Sequence, residues 1–252
     1  MIDFKSIIST VFSTLFPIIK IILIFGAVFI IYRLRLVLLN LPKLIYYKFL
    51  DAKNSKNKPF PHYGVKFYTG RQGSGKTMSM CYELEQLRKE YPNLKIYTNF
   101  GYEHQTQPLL YLHQLMNNKL YNGLDGTVFA IDEIQNEFAA STNINSVPVD
   151  VLSTVTQLRK QRIYILCTTQ VFTRVAKPLR EQASIVCDCK TYFGRLTDVR
   201  SYDGFDYADS VDKSIEYKSK NRVCLEHKVF VQSDQLRNCY DSYALINKLY
   251  RG

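Results

Sequence analysis

The stretch Gly70–Thr77, with the sequence GRQGSGKT, constrains the fold of this chain more than any other part of its 252 residues. It fits G-x-x-x-x-G-K-[ST], the pattern of a phosphate-binding P-loop, whose glycines let backbone N–H groups wrap around a polyphosphate. In this motif Lys76 reaches the β- and γ-phosphates, and the hydroxyl of Thr77 binds the Mg²⁺ that bridges them. The residues predicted to bind phosphate are Gly70, Arg71, Gln72, Gly73, Ser74, Gly75, Lys76 and Thr77.

The residues on either side of this loop support that interpretation. Val65–Tyr68 is predicted to be a strand, and Thr77–Glu90 is predicted to be a helix. An anion in the loop would then lie at a helix N-terminus, where the helix dipole favours negative charge. The alternative is an ordinary glycine-rich turn, and the strand–loop–helix setting argues against it.

A second candidate site feature is a pair of carboxylates that closes an apolar strand. Thr127–Ile131 is apolar enough to be buried on both faces of a parallel sheet, and Asp132 and Glu133 follow it directly. In NTPases this arrangement places the aspartate near Mg²⁺ and lets the glutamate polarise the attacking water. The alternative is a solvated acidic turn. We therefore predict Thr77 and Asp132 as metal ligands and Glu133 as the catalytic carboxylate.

A third feature is Gln170, which follows Thr168 and Thr169 at the end of the next apolar strand, Ile163–Cys167. In the same sheet this strand end would lie beside Asp132, so the glutamine could contact the γ-phosphate or the attacking water. The alternative is a polar turn. Arg174 and Arg180 follow within ten residues. Either could reach a neighbouring subunit's nucleotide as an arginine finger, although a solvated or ion-paired arginine is the default interpretation.

The alternation of strands and helices predicts an α/β fold with a mainly parallel sheet and helices on both faces. The remaining residues from 190 onwards are polar and rich in tyrosine, and no elements are assigned there. Those tyrosines are predicted mainly to pack, with stacking on single-stranded DNA as the alternative. The further predicted strands are Leu94–Thr98 and Ser184–Cys189, and the further predicted helices are Leu109–Asn118 and Val149–Gln161.

The N-terminal part of the chain is predicted to cross a membrane. Ile7–Tyr32 contains 26 mostly apolar residues, and a helix needs about 20 to span a bilayer. A cleaved signal peptide or a helix lying in the membrane plane fits less well, because the segment is long and lacks a broad polar face. We divide the chain into residues 1–32, a transmembrane helix with a short external N-terminus, 33–60, a basic juxtamembrane linker, and 61–252, the globular domain.

The net charge of +11 is concentrated beside the predicted span. Residues 33–58 contain seven basic residues and one acidic residue, as expected for a segment on the cytoplasmic side of a membrane. The globular domain is therefore predicted to be cytoplasmic, anchored by one pass in the inner membrane. The six cysteines form no CxxC pair, which argues against a zinc site and predicts reduced, mostly buried thiols.

Together, the GRQGSGKT loop, the Asp132-Glu133 pair and the TTQ strand end resemble the Zot-type (zonular occludens toxin-like) ATPases of filamentous phages. These proteins belong to the FtsK–HerA group of P-loop NTPases. The resemblance covers roughly residues 63–190. It implies ATP and Mg²⁺ as ligands, ATP hydrolysis with Glu133 as catalyst, and Gln170 as a sensor of the nucleotide.

The resemblance also implies a multimeric, ring-forming motor that powers phage assembly and the extrusion of single-stranded DNA, with phage coat or other assembly proteins as partners. One difference is the order of segments, because Zot-type proteins carry the ATPase domain before the membrane span and an external domain after it. A DNA-packaging or translocating ATPase of the same group therefore stays an alternative. A nucleotide-binding scaffold without hydrolysis is a third hypothesis, which Glu133 disfavours.

Overall fold

The computed structural model describes residues 59–110, 114–115, 120–136, 155–212 and 223–240, together with 39–50 and scattered positions between 16 and 35. The chain divides into two compact units, Met1–Lys58 and Pro59–Gly252. In the first unit every described position is helical. No helix of the described residues combines the length and the apolar character needed to cross a bilayer. Residues 7–15 of the predicted span, and residues 18–19, 22, 27 and 30–31 further along it, lie outside the described part of the chain.

The second unit is built on a mixed sheet. Its eight strands among the described residues are β1 Gly64–Thr69, β2 Lys95–Thr98, β3 Gln107–Pro108, β4 Thr127–Ile131, β5 Ile163–Thr169, β6 Ala183–Tyr192, β7 Leu196–Asp203 and β8 Cys224–Val231. They lie side by side in the order β3-β2-β4-β5-β1-β6-β7-β8. The strands from β3 through β6 pair in parallel, whereas β7 and β8 are antiparallel to their neighbours. The mainly parallel α/β fold predicted from the sequence is therefore present.

One long helix and several short ones accompany the sheet. The helices are α1 Lys76–Glu90, α2 Leu158–Gln161, α3 Lys177–Arg180, α4 Gly204–Asp212 and α5 Asp234–Asn238, with 3₁₀ turns at Gly123–Asp125, Ile134–Asn136 and Phe172–Arg174. Of the predicted helix 149–161, residues 149–154 lie outside the described residues. Of the predicted helix 109–118, residues 109–110 are not helical and residues 114–115 form a 3₁₀ turn, and the others are not described.

The central strands of the sheet are buried on both faces, as their apolar sequences require. Every residue of β4 and of β5 is buried. On one face α1 contributes Met80 and Leu84 to an apolar cluster with Leu166. On the other face, residues of the same strands pack with Leu179 of α3 and Tyr207 of α4. Because β4, β5 and β1 are neighbours and parallel, their carboxyl ends meet at one edge of the sheet, where open α/β folds bind ligands.

The C-terminal antiparallel strands are the main part of the fold that the sequence did not predict. β6 is longer than the predicted strand Ser184–Cys189, and β7 and β8 follow it in the tyrosine-rich region. Cys187 and Cys189 lie on one face of β6 and are both buried. Five of the six cysteines are buried, and Cys224 is exposed.

Candidate nucleotide-binding site

The P-loop connects β1 to α1 with backbone angles that favour glycine. Gly75 is the N-cap of α1 in the left-handed conformation, with φ 86°. A Cβ atom there would lie 2.4 Å from Thr191 Oγ1 of β6, and a Cβ atom on Gly70 would lie 2.8 Å from the carbonyl oxygen of Cys189. The glycines therefore allow both the loop conformation and its close contact with β6.

The lysine of the motif lies inside the loop. Lys76 is only 8% exposed, and its Nζ donates a hydrogen bond of 3.1 Å to the carbonyl oxygen of Arg71. Arg71, Gln72 and Gly73 at the tip of the loop are exposed. The ammonium group thus lies at the N-terminus of α1, where it and the helix dipole attract the same anion.

Asp132 lies directly opposite the start of α1. Its Oδ1 accepts hydrogen bonds from Thr77 Oγ1 at 3.0 Å and from Thr168 Oγ1 at 2.5 Å. Burial raises the pKa of Asp132, and the hydrogen bonds from Thr168 and Thr77 lower it in part. A threonine hydroxyl and a carboxylate at this separation are the oxygen ligands that Mg²⁺ takes when substrate phosphates and water supply the rest. The residues present therefore fit the predicted metal.

Two residues that the sequence analysis did not assign hold this acidic turn in place. Asn99, just after β2, accepts from the backbone N–H of Asp132 at 2.7 Å and donates to its carbonyl oxygen at 3.1 Å. Thr168 accepts from the backbone N–H of Glu133 at 2.8 Å while its hydroxyl donates to Asp132. Glu133 itself has φ 51°, which is uncommon for a residue with a side chain. Polar side chains from both neighbouring strands thus stabilise a strained turn at the site.

The structure brings Gln170 and Glu133 together. Gln170 Nε2 donates to Glu133 Oε1 at 2.9 Å, and Asn136 Nδ2 donates to Glu133 Oε2 at 3.2 Å. Both oxygens of the carboxylate are therefore held by amide groups. These two hydrogen bonds fix the direction of the carboxylate, and its oxygens can accept a further hydrogen bond from a water molecule.

The two candidate arginines differ in position. Arg174 ends the 3₁₀ turn after β5 and is exposed. Arg180 is 8% exposed, and its guanidinium lies 5.9 Å from the centre of the Phe172 ring. An arginine finger has to extend from the surface of its own subunit, so the geometry favours Arg174 over Arg180 for that role. The role itself stays a prediction.

The P-loop is also supported by the C-terminal strands, which the sequence analysis left unassigned. Thr191 Oγ1 donates to the carbonyl oxygen of Ser74 at 3.0 Å and lies 3.1 Å from Thr197 Oγ1. Gln232 Nε2 donates to Thr197 Oγ1 at 2.8 Å. Two threonines and a glutamine far along the chain therefore hold the outer side of the loop.

Beneath the loop, a buried polar network joins β1, α1 and β5. Lys66 Nζ lies 2.6 Å from Glu83 Oε2, and the hydroxyl groups of Tyr68 and Tyr164 also donate to the Glu83 carboxylate. Burial raises the pKa of Glu83, but Lys66 and these hydrogen bonds lower it more, so the net pKa is below its usual value. Burial lowers the pKa of Lys66, but Glu83 raises it more, so the net pKa is above its usual value.

A P-loop after the central parallel strand β1, a glutamine after the adjacent strand β5 and a carboxylate pair after β4, the next strand along, form the arrangement of P-loop NTPases. No protein-family model matches the sequence, and no curated protein matches it either. The fold is similar to the crystal structure of the N-terminal domain of zonular occludens toxin from Neisseria meningitidis. The TM-score is 0.51 at 17% identity, over 71% of this chain and 98% of that domain. The predicted resemblance to Zot-type proteins is therefore confirmed for the fold.

A second group of solved structures has lower similarity. The genome packaging NTPase B204 from Sulfolobus turreted icosahedral virus 2, in complex with sulfate, gives a TM-score of 0.43 at 16% identity. That match covers 67% of this chain and 91% of the other. The same protein in complex with ATP-gammaS gives a TM-score of 0.41 at 19% identity, over 52% of this chain and 75% of the other.

Proposed function

We propose that this protein is a membrane-anchored ATPase that powers filamentous phage assembly and the extrusion of single-stranded DNA through the host inner membrane. In this proposal it works as a ring of identical subunits, with phage coat or other assembly proteins as partners. The observation that carries the enzymatic part is the contact between Gln170 and Glu133 beside the Thr77–Asp132 pair. A loop that only binds phosphate has no need of a carboxylate held by two amides.

Each site residue has a defined task in this mechanism. Lys76 and the backbone of the loop bind the phosphates, and Thr77 and Asp132 are the residues that would hold Mg²⁺, which would neutralise phosphate charge. Glu133 accepts a proton from the attacking water. Asn136 and Gln170 fix the direction of its carboxylate for this step. Gln170 can exchange its bond to Glu133 for one to the γ-phosphate, which would signal the presence of ATP to β5.

The membrane part of the proposal rests on composition and exposure in the first unit. Several apolar side chains of its described helical positions are more than half exposed. The basic residues of the unit are concentrated at 33–58, after the first of these apolar positions, as in segments on the cytoplasmic side of a membrane. The more exposed of these apolar residues are Leu23 66%, Ile24 62%, Phe25 72%, Phe29 64%, Leu39 74% and Phe49 67%. Such side chains are expected to contact lipid.

The enzymatic assignment is tested with two variants. Lys76→Ala should abolish ATP binding, because the buried ammonium that attracts the phosphates is lost. Glu133→Gln should bind ATP and lose hydrolysis by about 100-fold or more, because an amide cannot accept the proton. Binding is measured by calorimetry and hydrolysis by phosphate release. Lys89→Ala and Glu103→Gln, at exposed positions, are the matched controls. Hydrolysis by Glu133→Gln at the rate of the unchanged protein would overturn the catalytic assignment.

The cargo is tested in cells that carry the phage genome with Lys76→Ala. Extrusion predicts protein-coated single-stranded DNA that accumulates inside and is not secreted. Empty capsids inside the cell would instead support a packaging ATPase and contradict the extrusion proposal.

A further inference from the structure

An open groove lies beside the P-loop, on the side opposite the catalytic carboxylates. It has a volume of 720 Å³, and its walls are loop residues and the outward face of β6 and β7. Ligand sites for small molecules are typically about 300–1,000 Å³. The residues that matter here are Gly70 and Arg71 of the loop, Lys190 and Tyr192 of β6, and Asp198 and Arg200 of β7.

The strand order determines which end of a nucleotide faces this groove. Asp132, Glu133 and Gln170 follow β4 and β5, which lie on one side of β1, whereas β6 and β7 lie on the other. The γ-phosphate must face Glu133 for hydrolysis. The rest of the nucleotide must therefore leave the loop in the opposite direction, across β1 towards β6.

The groove offers the contacts that a nucleoside needs. Tyr192 is 37% exposed, and Lys190 Nζ lies 4.8 Å from the centre of its ring. A tyrosine ring of this kind provides a face on which a base can stack. Asp198 accepts from Arg200 at 3.4 Å and lies 3.0 Å from His227 Nε2. Asp198 thus holds the guanidinium of Arg200 in the wall of the groove, where this donor can contact an acceptor atom of the base.

We propose that this groove binds the purine base and ribose of the nucleoside triphosphate, with the base stacked on Tyr192. The proposal rests on the function proposed above, because it assumes that the loop holds the phosphates. It assigns recognition of the base to the C-terminal strands rather than to the phosphate-binding half of the domain.

The test compares two probes on the full chain in detergent, with Mg²⁺ present. ATP carries a base, and inorganic tripolyphosphate carries only the phosphates. Tyr192→Ala should weaken ATP binding about 5- to 150-fold, the range expected for loss of one base–aromatic stack, and change tripolyphosphate binding by less than about twofold. Tyr192→Phe, which keeps the ring, should bind ATP as the unchanged protein does. Phe193→Ala is the matched control, because Phe193 is 97% exposed and does not line the groove.

A second readout is the fluorescence of 2-aminopurine riboside triphosphate, which stacking quenches. Quenching should be present in the unchanged protein and in Phe193→Ala and lost in Tyr192→Ala. In Tyr192→Ala, an unchanged ratio of ATP affinity to tripolyphosphate affinity would overturn this inference, whether both affinities stay the same or both weaken equally. These results would leave the proposed function intact. In contrast, failure of Lys76→Ala to weaken either probe would overturn the proposed function and this inference together.

Discussion

At the scale of single residues, the acidic turn is positioned by short polar side chains. Asn99 makes two hydrogen bonds to the backbone of Asp132, and Thr168 contacts both Asp132 and Glu133. Short side chains lose little conformational entropy when they are fixed, so they can hold a turn accurately. Asn99 has no contact with a reacting atom in this arrangement and is therefore a positioning residue.

Asn99→Ala is expected to reduce Mg²⁺-dependent ATP hydrolysis by about 10- to 100-fold, the range seen when supporting residues of metal sites are removed. The cause is loss of both hydrogen bonds that fix Asp132, so the Mg²⁺ concentration for half-maximal rate should rise. ATP binding measured in EDTA should stay unchanged, because it depends on the P-loop. Asn93→Ala, at an exposed position before β2, is the control. An unchanged Mg²⁺ dependence in Asn99→Ala would contradict this role.

At the scale of secondary-structure elements, the buried pair of Lys66 and Glu83 connects the strand before the P-loop to the helix after it. The side chains of the two residues are 7% and 17% exposed. An exposed ion pair, such as Lys177 with Glu181 at 3.8 Å, contributes little to stability. In a buried pair, removal of one partner leaves the other charge without compensation.

Glu83→Gln is therefore expected to lower the free energy of unfolding by about 3–5 kcal/mol, measured by urea denaturation at pH 7. Folding lowers the pKa of Glu83 below its usual value of 4.5. The pair consequently stabilises the fold at neutral pH, and this contribution is lost as acid protonates the carboxylate. The difference between the unchanged protein and Glu83→Gln should shrink as the pH falls below that value.

The double variant Lys66→Met with Glu83→Gln should lower the free energy of unfolding by less than the sum of the two single variants, because neither charge is then left without its partner. The control Glu181→Gln should change stability by less than about 1 kcal/mol. Strict additivity of the two single variants would show that the pair does not act as a unit.

Elements with a strong apolar pattern were predictable from the sequence, and the others were not. β4 and β5 are mostly apolar runs, so the sequence predicted that both are buried strands of one parallel sheet. It also predicted that their carboxyl ends lie at the same edge of the sheet as the P-loop. β7 buries Thr197 and Ser201, which look like surface residues in a sequence, and seven of the eight residues of β8 are exposed. The buried positions of β7 therefore include polar residue types and β8 is almost wholly exposed, so neither sequence shows the alternation of apolar and polar residues that predicts a half-buried strand.

The same reason limits what the sequence indicates about the site. The P-loop, Asp132, Glu133 and Gln170 carry a local pattern, and the structure brings the last two into contact. Asn99, Thr191 and Glu83 act through partners 33, 117 and 17 residues away. Only the position of Asn99 after a predicted strand offered a signal. The role of Asn99 depends on its contact with Asp132 after the neighbouring strand β4, and only the folded sheet brings the two residues together.

At the scale of the whole molecule, the division between Lys58 and Pro59 separates a basic, apolar segment from the nucleotide-binding unit. The full chain is expected to float with vesicles that contain anionic lipid, because its apolar residues enter the bilayer and its basic residues bind the headgroups. A chain beginning at Pro59 should stay in the soluble fraction and bind ATP with the same affinity. Flotation measures the first point and calorimetry the second. Equal flotation of both chains would contradict the assignment of membrane binding to residues 1–58.

The hydrogen bond between Thr191 and Ser74 has a consequence for how the protein is made. The two residues are 117 positions apart, and β1 lies between β5 and β6, which both come late in the chain. At about 5–20 residues per second, translation adds Thr191 roughly 6–23 s after Ser74. Until β5 is made the P-loop strand has no neighbour, and until β6 is made one of its two edges stays unpaired. A chain terminated before β6 therefore exposes an unpaired strand edge, and such an edge promotes aggregation. The expected product of a nonsense mutation in this region is insoluble protein rather than a soluble, inactive enzyme.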